Sequence, residues 1–580
     1  MRRLNLIAGL LAGLMLAVLA PAAMAQTQPI PPEHYTLDPR GVDLVSGTFN
    51  YGTTEVLIGP SGGGGLAYGR VWTSRGWRDT SVGSISFSGS DLVVSVGPIS
   101  EEFVNDGGGN YSSKYSNGST IVFGSPTVTV TDRFGAVATF DRDIGASESN
   151  PYNATEGLIT SYSTPDGNVT TYTYGSGQRC VAQGPSGQCI AWLTIYRLSA
   201  ITNNRGYMIK YAYASNNPDI DAYWQVANVR GINLAVDWCS ASADSCTSFT
   251  ETWPSVTYDS AVPPLTATDQ SSRVTTYSYS NSNTELATIR YPGATSHDVA
   301  VAYNASPDFR VNAVTDASGA WTYGYSVSGS VQTTSVAGPL GQSLTVLTDT
   351  ATGRATSVTD ALSNTWSYQY DSDLRVTRVT QPEGDYATYA YDNHSNLVET
   401  TWIPKTNTIP AITTSTAYLT SCASPVTPAT CNRPVSATDA RGAVTDFDWD
   451  ETTGLLVSVT APAPISGADR PQTWFAYDDV QARYKDSAAT YVNGPAIWLP
   501  VEVSACATGS PLPPTLPPTP ICSTTDNEVR TTIEYPDTSA ANNLLPEWVS
   551  RGSGAVPAMA KTEMTYTAAG DIESVDGPLL

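Results

Sequence analysis

Few side chains in this 580-residue sequence are spaced to do chemistry. The three histidines, His34, His297 and His394, lie near no motif. His394 occupies a turn position where a sibling segment carries Asp373, so a turn residue is expected there, not a general base. Gly59-Pro60-Ser61-Gly62-Gly63 has the spacing of a nucleophile elbow, which needs a strand before the serine and a helix after it. Ser61 is followed by glycine and a β-like run, which reads as a flexible loop. Asp446, Asp448 and Asp450 alternate, with Glu451 beside them. Clustered hard oxygens make calcium the one ion to consider, but the glycine turn of a calcium loop is lacking, and a solvated strand face is expected. A carboxylate pair for glycoside hydrolysis cannot be singled out among 53 acids. No catalytic residue, cofactor or metal site is therefore expected.

The eight cysteines carry more information. They fall into four close pairs, Cys180/Cys189, Cys239/Cys246, Cys422/Cys431 and Cys506/Cys522. None has the C-x-x-C spacing of a zinc site, and short loops lose least entropy on closure, so four local disulfides are expected. Export fits this chemistry. Residues 1–25 begin with Arg2 and Arg3, run apolar from Leu4 to Leu19 and end in Ala23-Met24-Ala25, the pattern of a secretory signal peptide cleaved before Gln26. No other stretch approaches a membrane-spanning length, so no insertion is expected after cleavage. The net charge of −24 is spread along the chain and argues against nucleic acid and anionic lipid surfaces as partners.

The scaffold must be β. Charged residues are only 14%, while 47 glycines, 32 tyrosines and 13 tryptophans accompany abundant Ser and Thr. Aromatic and β-branched side chains suit pleated surfaces, and Gly, Asn and Asp supply turn dihedrals. The segments "TYSYSNSN", "AVAYNASP", "TYGYSVSG", "LTVLTDTA", "SYQYDSDL" and "TYAYDNHS" put one position at Tyr279, Tyr303, Tyr325, Leu347, Tyr370 and Tyr391, at intervals of 24, 22, 22, 23 and 21 residues. So regular a period indicates a repeat architecture. Each unit reads as a strand to the tyrosine, a turn, a strand back and a second turn; Trp366, Tyr368 and Tyr370 alternate with polar residues as a strand requires. The aromatic ladders, including Trp321, Tyr323 and Tyr325, could stack on sugar rings, but cross-strand pairing already explains them. Looser copies extend the field over roughly 131–580, with the cysteine pairs inside loop insertions. Residues 26–130 lack this beat and are expected to form an N-terminal β cap over an exposed strand edge.

The units "YQYDSDLRVTRVTQPEGDYATYAYD" and "YAYDNHSNLVETT" resemble the YD repeats of the RHS family, with Tyr370-Asp371 and Tyr391-Asp392 at the Tyr-Asp positions. "DPRGVDLVSGTF" also resembles the opening sequence of secreted RHS proteins. The resemblance covers about three-quarters of the chain. It implies an all-β fold of repetitive antiparallel hairpins in a large curved or spiralling sheet, as in a hollow shell. In complete members the shell encloses a variable C-terminal toxin, released by a DPxGL-type core motif; other members act at the cell surface, where carbohydrate association has been proposed. No DPxGL motif follows the repeats here, Asp38-Pro39-Arg40-Gly41-Val42 lies at the opposite end, and the final unit reads as incomplete. The expected protein is an exported, non-catalytic shell or carrier portion of a polymorphic-toxin or contact-dependent system. Its partner would be a C-terminal toxin cargo or a continuation of the shell. The alternatives are a cell-surface adhesion module for polysaccharide and, third, a glycan-cleaving enzyme on a β scaffold.

Overall fold

A computed structural model describes residues 37–578 except 61–62, 74–75, 97–98, 145–156, 407, 420–426, 489, 508–521, 523–527, 538–539 and 554–559. Within it are 39 strands, one α-helical turn at Pro428–Cys431 and one 3-10 turn at Asp221–Tyr223. The signal-peptide residues lie outside the described residues, as does His34. Three strands, β1 (Tyr51–Ile58), β2 (Leu66–Thr73) and β3 (Gly76–Asp79), form a small sheet of their own. Everything after them belongs to one long sheet. From Thr120–Phe123 to Ile572–Asp576 each strand pairs antiparallel with the next in the chain, the arrangement that short turns between alternating strands impose.

The repeat has a mechanical basis. In most units the ladder shifts register immediately before the tyrosine, as between Gln369 and Tyr370 and between Ala390 and Tyr391. A bulge of this kind re-aims the following side chain. Here it turns the phenol onto the backbone at or just before the start of the previous strand: Tyr370 donates to the carbonyl of Ala355 at 2.7 Å, Tyr391 to Val376 at 2.9 Å, Tyr279 to Pro264 at 2.7 Å and Tyr303 to Leu286 at 2.7 Å. Burial pushes the Tyr370 and Tyr391 hydroxyls up to about 12, which keeps them donors. Trp449 follows the same bulge, and its indole N–H reaches the carbonyl of Pro434 at 2.7 Å. The residue counted into this slot from sequence, Leu347, is not the one that fills it. The register shift falls between Leu347 and Thr348, so Thr348-Asp349 stands where Tyr-Asp stands elsewhere; the interval of 23 residues to Tyr370 hid a one-residue offset. Tyr325 is the other exception. Its strand runs unshifted through Ser328, and its buried hydroxyl has no hydrogen-bond partner.

This contrast gives an expected result. Tyr370→Phe and Tyr391→Phe orphan a carbonyl and should each cost about 1–3 kcal/mol, whereas Tyr325→Phe should be neutral or slightly stabilising. Urea unfolding of the three variants checks it; equal losses at all three positions would contradict the bulge mechanism.

The aspartate after the tyrosine shapes the turn. Asp371 accepts the backbone N–H groups of Asp373 and Arg375, both at 3.0 Å, and Asp392 accepts those of His394 at 2.9 Å and Asn396 at 2.8 Å. The second turn repeats the device at Asp360, which accepts from Leu362 and Asn364 at 2.9 Å. The Asn364 amide holds the Asp360 carboxyl below its usual value, as the Thr352 N–H does for Asp349 and the Ala443 N–H for Asp439. A depressed folded-state value contributes stability above the unfolded carboxylate value of 3.8, and that stability is lost as pH falls through the lower folded values. The melting temperature should therefore drop progressively below about pH 4. A flat profile from neutral pH to pH 2 would show that the turn carboxylates do not stabilise the repeats.

Accumulated strand twist curls the sheet until distant units meet. Arg133 hydrogen-bonds the side chain of Asn396, Asn432 donates to the carbonyl of Arg133 at 2.8 Å, and the Trp498 N–H donates to Asp166 at 2.9 Å. Farther along, Lys485 Nζ reaches the carbonyl of Val236 at 2.6 Å, and Tyr207 donates to Asn542 at 3.0 Å, 335 residues away. These bonds join turns and strand ends, so coils stack through their hairpin corners. Residues 84–131, which lack the repeat rhythm, nevertheless add six strands to the same sheet, and a bridge between Ser84 and Leu158 folds them around a core of Ile85, Leu92, Phe103, Phe140 and Ile159.

Candidate functional site

The most built-up site is the bed on which the N-terminal segment lies. "DPRGVDLVSGTF" folds as two linked turns. Asp38 Oδ1 accepts the N–H groups of Arg40 and Val42 at 2.9 Å, and Asp43 Oδ1 accepts those of Val45 and Ser46 at 2.8 Å. Gly41 is required, since at φ +86° an added Cβ would sit 2.2 Å from the carbonyl oxygen of Asn50. These turns press Val42 and Leu44 fully out of solvent against the repeat sheet. The sheet grips their backbone: Val311 N–H donates to Gly47 at 2.8 Å, Thr334 Oγ1 to Leu44 at 2.6 Å and Gln332 Nε2 to Val45 at 2.7 Å. Arg40 stacks 3.4 Å over the Trp321 ring.

The small sheet β1–β3 continues the contact. Trp72 and Tyr68 are among the largest fully buried side chains, in one core with Tyr211, Val256, Ile289 and Val314 of the repeats. The polar contacts follow one pattern, in which three carboxylates of the N-terminal segment each receive a hydrogen bond from a repeat tyrosine. Tyr323 donates to Asp38 at 2.5 Å, Tyr211 to Asp79 at 2.6 Å, and Tyr258 to Glu55. Glu55 is also held bidentately by Arg70 at 2.8 and 2.9 Å, and the Arg70 guanidinium lies 4.1 Å from the Tyr258 ring centroid and 4.2 Å from that of Trp77. Burial pushes the Asp79 carboxyl up, against the lowering effect of the Tyr211 and Ser81 hydrogen bonds and the Arg70 charge. Buried charges of this kind persist only when paired and fully hydrogen-bonded.

The residues singled out from sequence are placed as follows. Trp321, Tyr323 and Tyr325 face the N-terminal segment or its turns, so these rings pack on protein. The alternating carboxylates have separate partners: Asp446 pairs with Arg470 at 2.5 Å, Asp448 accepts from Ser458, and Asp450 caps its turn through Thr452 and Thr453. The described residues contain no group of three metal-ligating side chains. His394 donates its backbone N–H to Asp392, and His297 is exposed. Ser61 lies outside the described residues. Cys180–Cys189, Cys239–Cys246 and Cys506–Cys522 are disulfides with Cα separations of 5.7, 5.9 and 5.3 Å. Cys431 is also disulfide-bonded, while Cys422 lies outside the described residues. Such bonds suit an oxidising compartment. Among the described residues no helix is long and apolar enough to cross a membrane. Sequence reasoning missed the acid–tyrosine pairs, whose members lie 132 to 285 residues apart with no shared local pattern.

Bulged strand, buried tyrosine and aspartate turn define a class of β-hairpin repeat, and residues 370–401 match the RHS Repeat family. That segment holds both Tyr370-Asp371 and Tyr391-Asp392, so residues 370–401 of this chain are an RHS repeat. No curated protein matches the chain. Among solved structures it is similar to the crystal structure of TcdB2-TccC3, at 10% identity and a TM-score of 0.34 over 90% of this chain and 26% of that one. The crystal structure of TcdB2-TccC3-TEV gives 11% identity and 0.34 over 93% and 28%. The chain spans about a quarter of the length of those structures.

Proposed function

We propose that this protein is the wall of an exported RHS-type shell, the carrier portion of a toxin or contact-dependent system, and that it works without catalysis. The observation that carries this reading is the N-terminal bed. One face of the repeat sheet already keeps a segment of its own chain from water, and aromatic residues recur on the strands of most units. Stacked coils would hold a cargo by exclusion, keeping proteases and solvent from it until delivery. The cargo would be a C-terminal continuation or a separately encoded partner, and residues 1–25 would direct export.

The test is a protease challenge of the protein secreted from its native locus together with whatever reading frame follows the codon for Leu580. An unrelated segment that survives until urea opens the wall supports the carrier. A product in which no such segment exists, or in which it is digested as fast as when expressed alone, contradicts it. A surface-adhesion reading draws on one feature, the hairpin tip closed by Cys180–Cys189, where Trp192 is 57% and Ile190 63% exposed.

A further inference from the structure

Two hairpins of the long sheet far exceed the repeat in length, and they end differently. The one formed by Gln472–Lys485 and Tyr491–Cys506 is seated on the neighbouring coil, where the Lys485 N–H donates to the carbonyl of Leu234 at 2.9 Å and Tyr491 to that of Ala235 at 3.1 Å. The other, Val169–Gln183 with Cys189–Asn203, overhangs the sheet. Its first strand pairs with the strand before it only through residues 169–171, and its second with the strand after it only through residues 200–202. Beyond these the two strands run on as a ribbon closed by the Cys180–Cys189 disulfide. A loop braces the base of the ribbon: Asp219 accepts the Cys180 N–H at 2.8 Å, Asp221 pairs with Arg179 at 3.0 Å, and the Trp224 indole donates to the carbonyl of Tyr196 at 3.3 Å.

Among the described residues, the outer edge of residues 189–195 has no ladder partner. Its sequence, "CIAWLTI", suits a strand and holds neither glycine nor proline, and no side chain is charged from Val181 to Tyr196. Register shifts are confined to the disulfide-closed end, and from Ala191 onward the strand is straight. Ile190 and Trp192 stand out to solvent, while Ala191 and Leu193 are half-buried. Other edges in this molecule are guarded. Ile572–Asp576, paired on one side only, carries the exposed Glu573 and Asp576; β1 shifts register at Glu55; and β3 is four residues long with an exposed Arg78. Charges, bulges and short strands are the devices that keep an edge from pairing with another chain. The straight part of the 189–195 edge has none of them.

A bare strand edge is completed by another strand, and charge selects which. A basic partner would be met by acidic side chains on the edge, and residues 181–196 offer none. Two copies of a chain with net charge −24 repel each other except where both are neutral, and a two-fold axis at this edge sets one charge-free strand against the other. We propose that the protein is a two-fold dimer in solution, joined by antiparallel pairing of residues 189–195 with the same residues of a second copy. The pairing satisfies the outward backbone groups of both strands and takes Trp192 of each copy out of water against the other. The disulfide and the bracing loop hold the ribbon in shape beforehand, so little ordering entropy is lost on association. The dimer does not depend on whether a cargo is carried.

The experiment is sedimentation equilibrium of the mature secreted protein over a concentration series. The mass should rise to twice that of one chain, and added salt should tighten the dimer by screening the repulsion between copies. Trp192→Lys sets like charges beside each other across the axis and should weaken the dimer roughly tenfold or more. Leu340→Lys, at an equally exposed apolar residue on a turn elsewhere, should leave it unchanged. Hydrogen exchange at high and low protein concentration reads the backbone directly: amides within residues 189–195 should slow on association, and those of the seated hairpin turn at residues 486–488 should not. A monomer up to about 0.1 mM, a dimer that ignores Trp192→Lys or falls apart in salt, or exchange within 189–195 that does not change with concentration would each overturn the proposal. So would a monomer that sediments with phosphatidylcholine vesicles through Trp192, which would give the edge to lipid.

Discussion

Replacing Arg70 with alanine should cost about 3–5 kcal/mol and loosen residues 37–79 from the sheet. Its side chain and that of Glu55 are 6% and 7% exposed, and their bidentate pair is enclosed by Tyr258, Tyr68 and Trp77. Truncation leaves the Glu55 carboxylate buried with only the Tyr258 hydroxyl to receive, and desolvation of an unpaired charge dominates the loss. Removing both charges together, as in Glu55→Leu with Arg70→Met, should recover most of the stability, since a buried pair contributes little beyond what well-packed apolar groups would. Urea unfolding together with the rate of proteolysis within residues 37–79 reads both effects. A loss below about 1 kcal/mol for Arg70→Ala would mean that the segment is held by other contacts alone.

Trp72→Ala should be comparably severe, about 3–5 kcal/mol, for a different reason. The ring is 1% exposed and packs 5.2 Å from Tyr279 and 5.6 Å from Trp77, so its loss leaves a cavity between β2 and the repeats that rigid neighbours cannot fill. Trp192→Ala, on the exposed hairpin tip, should change stability by no more than about 0.5 kcal/mol. Because Arg70 and Trp72 both contact Trp77, the double variant should lose less than the sum of the two single losses. Equal effects at Trp72 and Trp192 would contradict the placement of β2 in the core.

The local unit was legible because its causes are local. Alternation gives the strand, Tyr-Asp gives bulge and turn, and a period near twenty-two residues follows from two short strands and two tight turns. Even there, Leu347 shows the limit: counting residues locates a repeat to within one position, while the bulge that decides which side chain turns inward is a backbone event. "DPRGVDLVSGTF" stood out in sequence, but its role did not, because the partners of Asp38 and Leu44 are Tyr323 and Thr334. The same holds where the coils meet. Arg433 looks ordinary in "CNRPVS", and its position over Phe134 depends on twist summed over many strands. Residues 84–131 carry no tyrosine beat, yet they join the sheet because strand pairing needs only alternation and a free edge.

The central claim is that the repeats coil into stacked layers over the N-terminal segment, and electron cryo-microscopy of the mature secreted protein tests it most directly. The map should show the turn at Arg133 seated on the turn at Asn396, Tyr207 against Asn542, and residues 37–79 buried on the sheet face with Trp72 beside Tyr279. An extended or flat ribbon of hairpins, with residues 37–79 detached from it, would contradict both the coil and the shell built on it.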